Sequence, residues 1–166
     1  MIGGVGFLGA TDFDLTDPAL QRTYVSSVLR IALARIPIRT GAHRGCDQVA
    51  ARTALEAGGR VTLVLPWANY ERKWVEEMRE VHESRCVIQV FDRHAHGTWG
   101  ASVSKYRRPD EAMTPSRFKL YARVYGIVEP CELVIAMPLT AEKGGTGQGM
   151  RIARGVRQGR AGCSYG

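Results

Sequence analysis

Ile36-Pro37-Ile38-Arg39-Thr40 is followed by Gly41-Ala42-His43-Arg44-Gly45, by a helical pattern from Gly45 to Ala57, by Gly58-Gly59, and by Val61-Thr62-Leu63-Val64-Leu65. Read in order, this is a short strand, a glycine-bearing turn, a helix, a stop and a second strand. The helix carries small residues at Cys46, Ala50, Ala54 and Ala57, spaced for one face that packs closely on a sheet. Gly58-Gly59 terminates it. The run Val61–Leu65 is apolar at nearly every position, which predicts an interior strand buried on both faces. Such a unit belongs to an α/β fold with a parallel sheet.

The flanking sequence repeats the alternation. Val5 to Gly9 reads as a first strand. Thr16 or Asp17 caps the next helix, with Pro18 at its first position. Leu20, Tyr24, Val28 and Ile31 share one face of that helix. Beyond Leu65, Pro66 ends the strand, and Tyr70 to His82 reads as a helix with Trp74, Met78 and Val81 inward. Cys86 to Phe91 is a fourth strand. Thr114-Pro115 opens a helix that runs to about Glu129. Leu133 to Met137 is a fifth strand, ended by Pro138, and a last helix follows Gly147. Asp92 to Met113 shows no convincing periodicity and is expected to be a long loop or lid.

The 166 residues suit a single domain, and 45% hydrophobic with 23% charged residues supports a packed core. No apolar run approaches the roughly 20 residues that span a bilayer. Met1-Ile2-Gly3-Gly4 lacks the basic and apolar regions of a secretory signal, so the expected location is cytoplasmic. Cys46, Cys86, Cys131 and Cys163 form no CxxC pair, and reduced thiols are expected. The net charge is +7, from 23 basic and 16 acidic residues. It is concentrated at Gly100–Tyr125 and Lys143–Gly166, which suits an anionic partner.

Two glycine-rich segments stand where a strand hands over to a helix. In Thr40–Asp47, glycines let the backbone approach a ligand, the helix terminus offers free N–H groups, and Arg44 adds a forked donor. Asp47 caps the helix or holds a sugar hydroxyl. Lys143-Gly144-Gly145-Thr146-Gly147-Gln148-Gly149 forms a second anion cradle without being a Walker A motif. Arg117 starts the helix before strand five. That helix runs antiparallel to the strands, so Arg117 is expected at the same rim, with Arg123 lower. Gly4-x-Gly6-x-x-Gly9 matches a dinucleotide fingerprint only as a string, because no strand precedes it. His94-x-His96 lacks companions for a metal site, and no metal or cofactor is expected.

Thr40–Asp47 with Ala50 through Gly59 resembles the GGARGxD segment of the SLOG superfamily. That superfamily includes the DNA-processing protein A family and the lonely-guy phosphoribohydrolases. Gly144-Gly145-Thr146-Gly147 resembles its PGGxGT motif. The resemblance covers roughly Val5 to Arg154 and implies a single Rossmann-like three-layer domain over residues 1–166, with a mostly parallel sheet of about five strands. It implies a nucleotide-type ligand at the carboxyl edge of the sheet. Gly41, Arg44, Gly45 and Asp47 would line one side, Gly144, Gly145, Thr146 and Gly147 the phosphate side, and Gly9, Ala10 and Thr11 the space between. Gln148-Gly149-Met150-Arg151 stands where the phosphoribohydrolases carry a glutamate needed for N-glycosidic cleavage. Arg117 matches their catalytic arginine only loosely. An insertion, Leu139 to Lys143, separates Pro138 from the glycines.

Three functions follow as expectations. The first is a protein that senses or sequesters a phosphorylated nucleotide-derived molecule, a nucleotide or an ADP-ribose-type signal, in a basic glycine-rich pocket without evident catalysis. The second is a nucleoside-5′-monophosphate hydrolase, with Asp47 or Glu142 supplying the missing carboxylate. The third is single-stranded nucleic-acid binding, with Trp99 or Tyr106 stacking on bases. Self-association through helices is expected alongside.

Overall fold

The computed structural model describes residues 4–138 and 144–162. In chain order the elements are β1 (Gly4–Gly9), α1 (Pro18–Leu33), β2 (Ile38–Thr40), α2 (Cys46–Glu56), β3 (Val61–Leu65), α3 (Arg72–His82), β4 (Cys86–Val90), α4 (Gly97–Tyr106), α5 (Pro115–Val128), β5 (Cys131–Met137) and α6 (Gly144–Gly162). Single 3₁₀ turns lie at Phe13–Leu15 and Glu83–Arg85. The five strands form one parallel sheet in the order β4-β3-β2-β1-β5. β5 therefore lies on the opposite side of β1 from β2.

Side chains alternate across the sheet, and each face builds its own core. Phe7, Leu63 and Leu65 point to one face, where they meet Tyr24, Val28 and Ala32 of α1, Ala50 and Ala54 of α2, and Val75 and Met78 of α3. Leu8 and Val64 point to the other, against Trp99 and Val103 of α4, Val124 and Ile127 of α5, and Ile152 of α6. The result is a Rossmann-like three-layer domain. Two helix starts follow capping chemistry. Asp17 accepts from the N–H groups of Ala19 and Leu20 at 2.8 and 3.2 Å, with Pro18 opening α1. Thr114 accepts from the N–H of Arg117 at 3.2 Å, with Pro115 opening α5.

Four sequence expectations are corrected. Leu20 is 54% exposed, because the buried stripe of α1 is Tyr24, Val28 and Ala32. Val81 is 64% exposed, because α3 turns Val75, Met78 and His82 inward. The supposed loop Asp92–Met113 contains α4, whose Trp99, Ser102 and Val103 are buried at helical spacing. Its inner face is short, and two glycines and two serines dilute the pattern. The last helix also starts earlier than expected, so Gly144–Gly147 form its first turn. Glu142, Lys143 and Cys163 lie outside the described residues.

Candidate functional site

A cleft of about 340 Å³ opens at the carboxyl ends of β1 and β5. Register puts Gly9 beside Met137, so the two strands end level with each other. From β1 the chain runs outward through β2, β3 and β4, then returns to place β5 on the other side of β1. The cleft lies where the strand order reverses, at the carboxyl ends of these two neighbouring strands. Open α/β sheets bind ligands at this kind of switch point. The floor and one wall are Leu8, Gly9, Ala10, Thr11 and Asp12. His43, Asp47 and Arg123 lie on one side, and Tyr121, Pro138, Gly144, Gly145 and Thr146 on the other. Leu120 and Val124 add an apolar strip.

The junction of β2 and α2 is filled from within. The N–H of Cys46, at the start of α2, donates to the carbonyl of Ala10 at 3.0 Å. The free anion-binding terminus expected from sequence is therefore partly committed to the loop after β1. Gly45 has φ +87°, and a Cβ there would overlap the carbonyls of Thr11 and Ala10. A Cβ at Gly41 would overlap the side chains of Arg123 and Asp47. Asp47 and Arg123 form a buried ion pair at 3.3 Å. Burial pushes the Asp47 carboxyl above its usual range, opposed chiefly by Arg123 and then His43. Nδ1 of His43 is hydrogen-bonded to the Tyr70 hydroxyl, and the Arg123 guanidinium lies 5.8 Å from the Tyr70 ring centre. Burial first, then Arg123, holds the His43 imidazole below its ordinary pKa.

At the start of α6 the described residues leave the first glycines more room. Among the described residues, a Cβ on Gly144 would meet nothing within 4 Å, and one on Gly145 would meet only Val124, at 3.8 Å. The N–H of Gly144 donates to Oε1 of Glu111, 3.2 Å away, from the connection between α4 and α5. A carboxylate at the positive end of a helix is favourably placed. Tyr121 stands beside it, its phenol raised by burial and further by Glu111. Gly147 is buried inside α6.

Arg117 and Arg123 exchange the places expected of them. Helical side chains lean toward the N-terminus of their helix. In α5 that end lies at the carboxyl edge of the sheet. Arg123 thus reaches up, and its Nη1 donates to the Val64 carbonyl at 3.3 Å. Arg117 overshoots the rim, is exposed, and donates to the Ala112 carbonyl at 2.8 Å. Of the remaining expected residues, Gly9, Ala10, Thr11, Asp47, Gly144, Gly145 and Thr146 meet in the cleft. Arg44 and Gly45 lie in a second depression, with Arg52 and Trp74, that shares Thr11 and Asp12 with the cleft. The Arg44 side chain is 78% exposed, with Glu71 at 3.9 Å. His43, Tyr121 and Arg123 were not selected from sequence. The side-chain lean in α5 is the signal that could have found Arg123.

The cleft is less basic than the composition suggests. Its described lining carries one arginine, Arg123, against Asp12 and Asp47. The Cys46 thiol is buried and pushed up to about 12 by burial first and then Asp47, which makes it a poor nucleophile. His96 stacks on Trp99 at 4.1 Å, and its Nδ1 accepts the Asp92 N–H at 3.0 Å. No group of three His, Cys, Asp or Glu suited to a metal occurs among the described residues. Among them, too, no helix is long and apolar enough to cross a membrane. Trp99 is buried against Gly126, so its ring is not a surface platform for bases. No family model matches the chain, and no curated protein or solved structure matches it either.

Proposed function

We propose that this chain binds a phosphorylated, nucleotide-derived small molecule in the cleft at the head of β1 and β5, holding it intact as a sensor or sequestering protein. The observation that carries the reading is Arg123, only 6% exposed yet lining the cleft, with its Nε unpartnered. A buried guanidinium with a spare donor suits an anionic oxygen. The switch-point position adds to it, and Gly145 and Thr146, in the first turn of α6, line the same cleft. The resemblance to the SLOG superfamily points the same way. The volume lies at the small end of ordinary ligand cavities, about 300–1,000 Å³.

Hydrolysis is the second reading, and the ion pair weighs against it. Asp47, one of the two acids that could serve, is bound to Arg123. Native mass spectrometry of the purified protein, followed by denaturation and identification of released small molecules, tests the proposal. An intact nucleotide is the expected result. Release of free base from a nucleoside monophosphate would replace binding by turnover. If calorimetry detects no binding across a panel of nucleotides, the proposal falls.

A further inference from the structure

The second depression has a volume of about 510 Å³, enough for a ligand group of its own. It shares Thr11 and Asp12 with the cleft, so the two adjoin at the segment leaving β1. Its walls come from three parts of the chain. Asp12, Phe13 and Asp14 follow β1. Gln48, Val49 and Arg52 share one face of α2, and Trp74 comes from α3.

The lining combines three kinds of group. Phe13 and Trp74 are half-buried and pack against the core on their side of the sheet, yet both line the depression. An aromatic side chain anchored in this way is a rigid apolar platform. Arg44 and Arg52 have side chains 78% and 46% exposed. Their acids are Glu71 at 3.9 Å and Glu77 at 3.4 Å, exposed pairings weak enough for a ligand to displace. Asp12 and Asp14 are exposed carboxylates, which accept hydrogen bonds from hydroxyl and amino groups.

A second phosphate would suit the two arginines, but it would face the two carboxylates and leave Trp74 unused. A flat heterocycle uses all three kinds of group. Its face covers Trp74, its ring nitrogens and carbonyls accept from a guanidinium, and its amino group donates to a carboxylate. Asp12, common to both hollows, stands where a sugar would join such a ring to a phosphate in the cleft.

We infer that the second depression is a base subsite: the ligand is a nucleoside phosphate with its phosphate in the cleft, its sugar against Thr11 and Asp12, and its base stacked on Trp74 beside Arg44. This rests on the proposed binding of a phosphorylated ligand and adds where the rest of that ligand lies. It also gives Arg44, which the cleft does not include, a place at the ligand.

Calorimetry tests it by comparing ribose 5-phosphate, which has no base, with the four ribonucleoside 5′-monophosphates. The tightest of the four should bind about tenfold or more tighter than ribose 5-phosphate, the scale of one stacked base. Trp74→Leu should remove most of that margin and leave ribose 5-phosphate unchanged, whereas Trp74→Phe should keep it. The nucleotide should quench tryptophan fluorescence in the natural protein but not in Trp74→Phe, which retains Trp67 and Trp99. Arg44→Ala, at an exposed side chain, should weaken the nucleotides several-fold and again spare ribose 5-phosphate. Ribose 5-phosphate binding as tightly as every nucleotide would overturn the inference without any variant. So would an undiminished margin in Trp74→Leu, or losses in Trp74→Leu and Arg44→Ala that ribose 5-phosphate shares equally. Nucleotide binding without a margin would leave the proposed function standing, whereas no binding of any probe or of a wider nucleotide panel removes both.

Discussion

At the junction of β2 and α2 a methyl group has nowhere to go. Gly45 faces two backbone carbonyls, and Gly41 faces the Arg123–Asp47 pair. At the start of α6, among the described residues, nothing stands within 4 Å of a side chain placed on Gly144, and only Val124 near one on Gly145. Both segments look alike as sequence. The first uses glycine to bring two parts of the protein together. The second uses it to keep protein away. Glycine density marks close approach, but only the surroundings tell whether the approaching group is internal or foreign.

Alanine at Gly45 should produce the largest effect. It combines a left-handed backbone with a clash against main chain that cannot swing aside, and a cost of about 3 kcal/mol or more is expected in chemical denaturation. A loss below about 1 kcal/mol would mean that this junction is looser than described.

Removing one partner of the buried ion pair comes next. Arg123→Met strands the Asp47 carboxylate, for a loss of about 3 kcal/mol, and should abolish ligand binding. Replacing both partners with apolar residues should recover stability but not binding. Recovery of both in the double variant would take Arg123 out of the ligand site.

A pH titration reads the same junction more gently. His43 has a folded pKa below its ordinary 6.5, from burial and then Arg123. The unfolded chain therefore takes up the proton first, and stability falls as pH drops through 6.5 toward the folded value. His82, lowered by burial and Arg85, contributes with the same sign. Asp47, raised by burial, acts in the opposite sense, in a window that begins at the ordinary carboxylate pKa of 3.8. Thermal melts from about pH 7.5 to 5.5 should show the loss, and His43→Gln should reduce its slope. An unaltered slope would assign the effect to His82.

The smallest effect sharpens the contrast most. Gly145→Ala meets only Val124, at an ordinary contact distance, within the first turn of α6. It should leave stability unchanged or raise it by about 0.5 kcal/mol, while weakening ligand binding. Destabilisation would show that the second junction is as tightly packed as the first.

Nearly continuous apolar runs such as Val61–Leu65 made the sheet legible, because burial on both faces leaves that signature. The helices covering it were legible in existence and less so in rotation, as Leu20 and Val81 show. α4 escaped because burying Trp99, Ser102 and Val103 needs only one short stripe. The residues at strand ends were legible by position, hence Gly9 through Thr11 and Gly144 through Thr146. Arg123 and Glu111 were not. Arg123 reaches the cleft through the tilt of a long side chain, and Glu111 meets Gly144, 33 residues further along the chain. Neither carries a local signature.

The Cys46 sulfur occupies the space that a side chain on Gly9 would fill, directly under the first strand's exit. Fully buried, it can meet a thiol reagent only when that floor opens. In a variant whose other cysteines are serine, its rate of modification becomes a clock for those openings. A molecule held in the cleft above would slow the clock by its occupancy, so that reaction at one sulfur measures affinity without a label on the ligand.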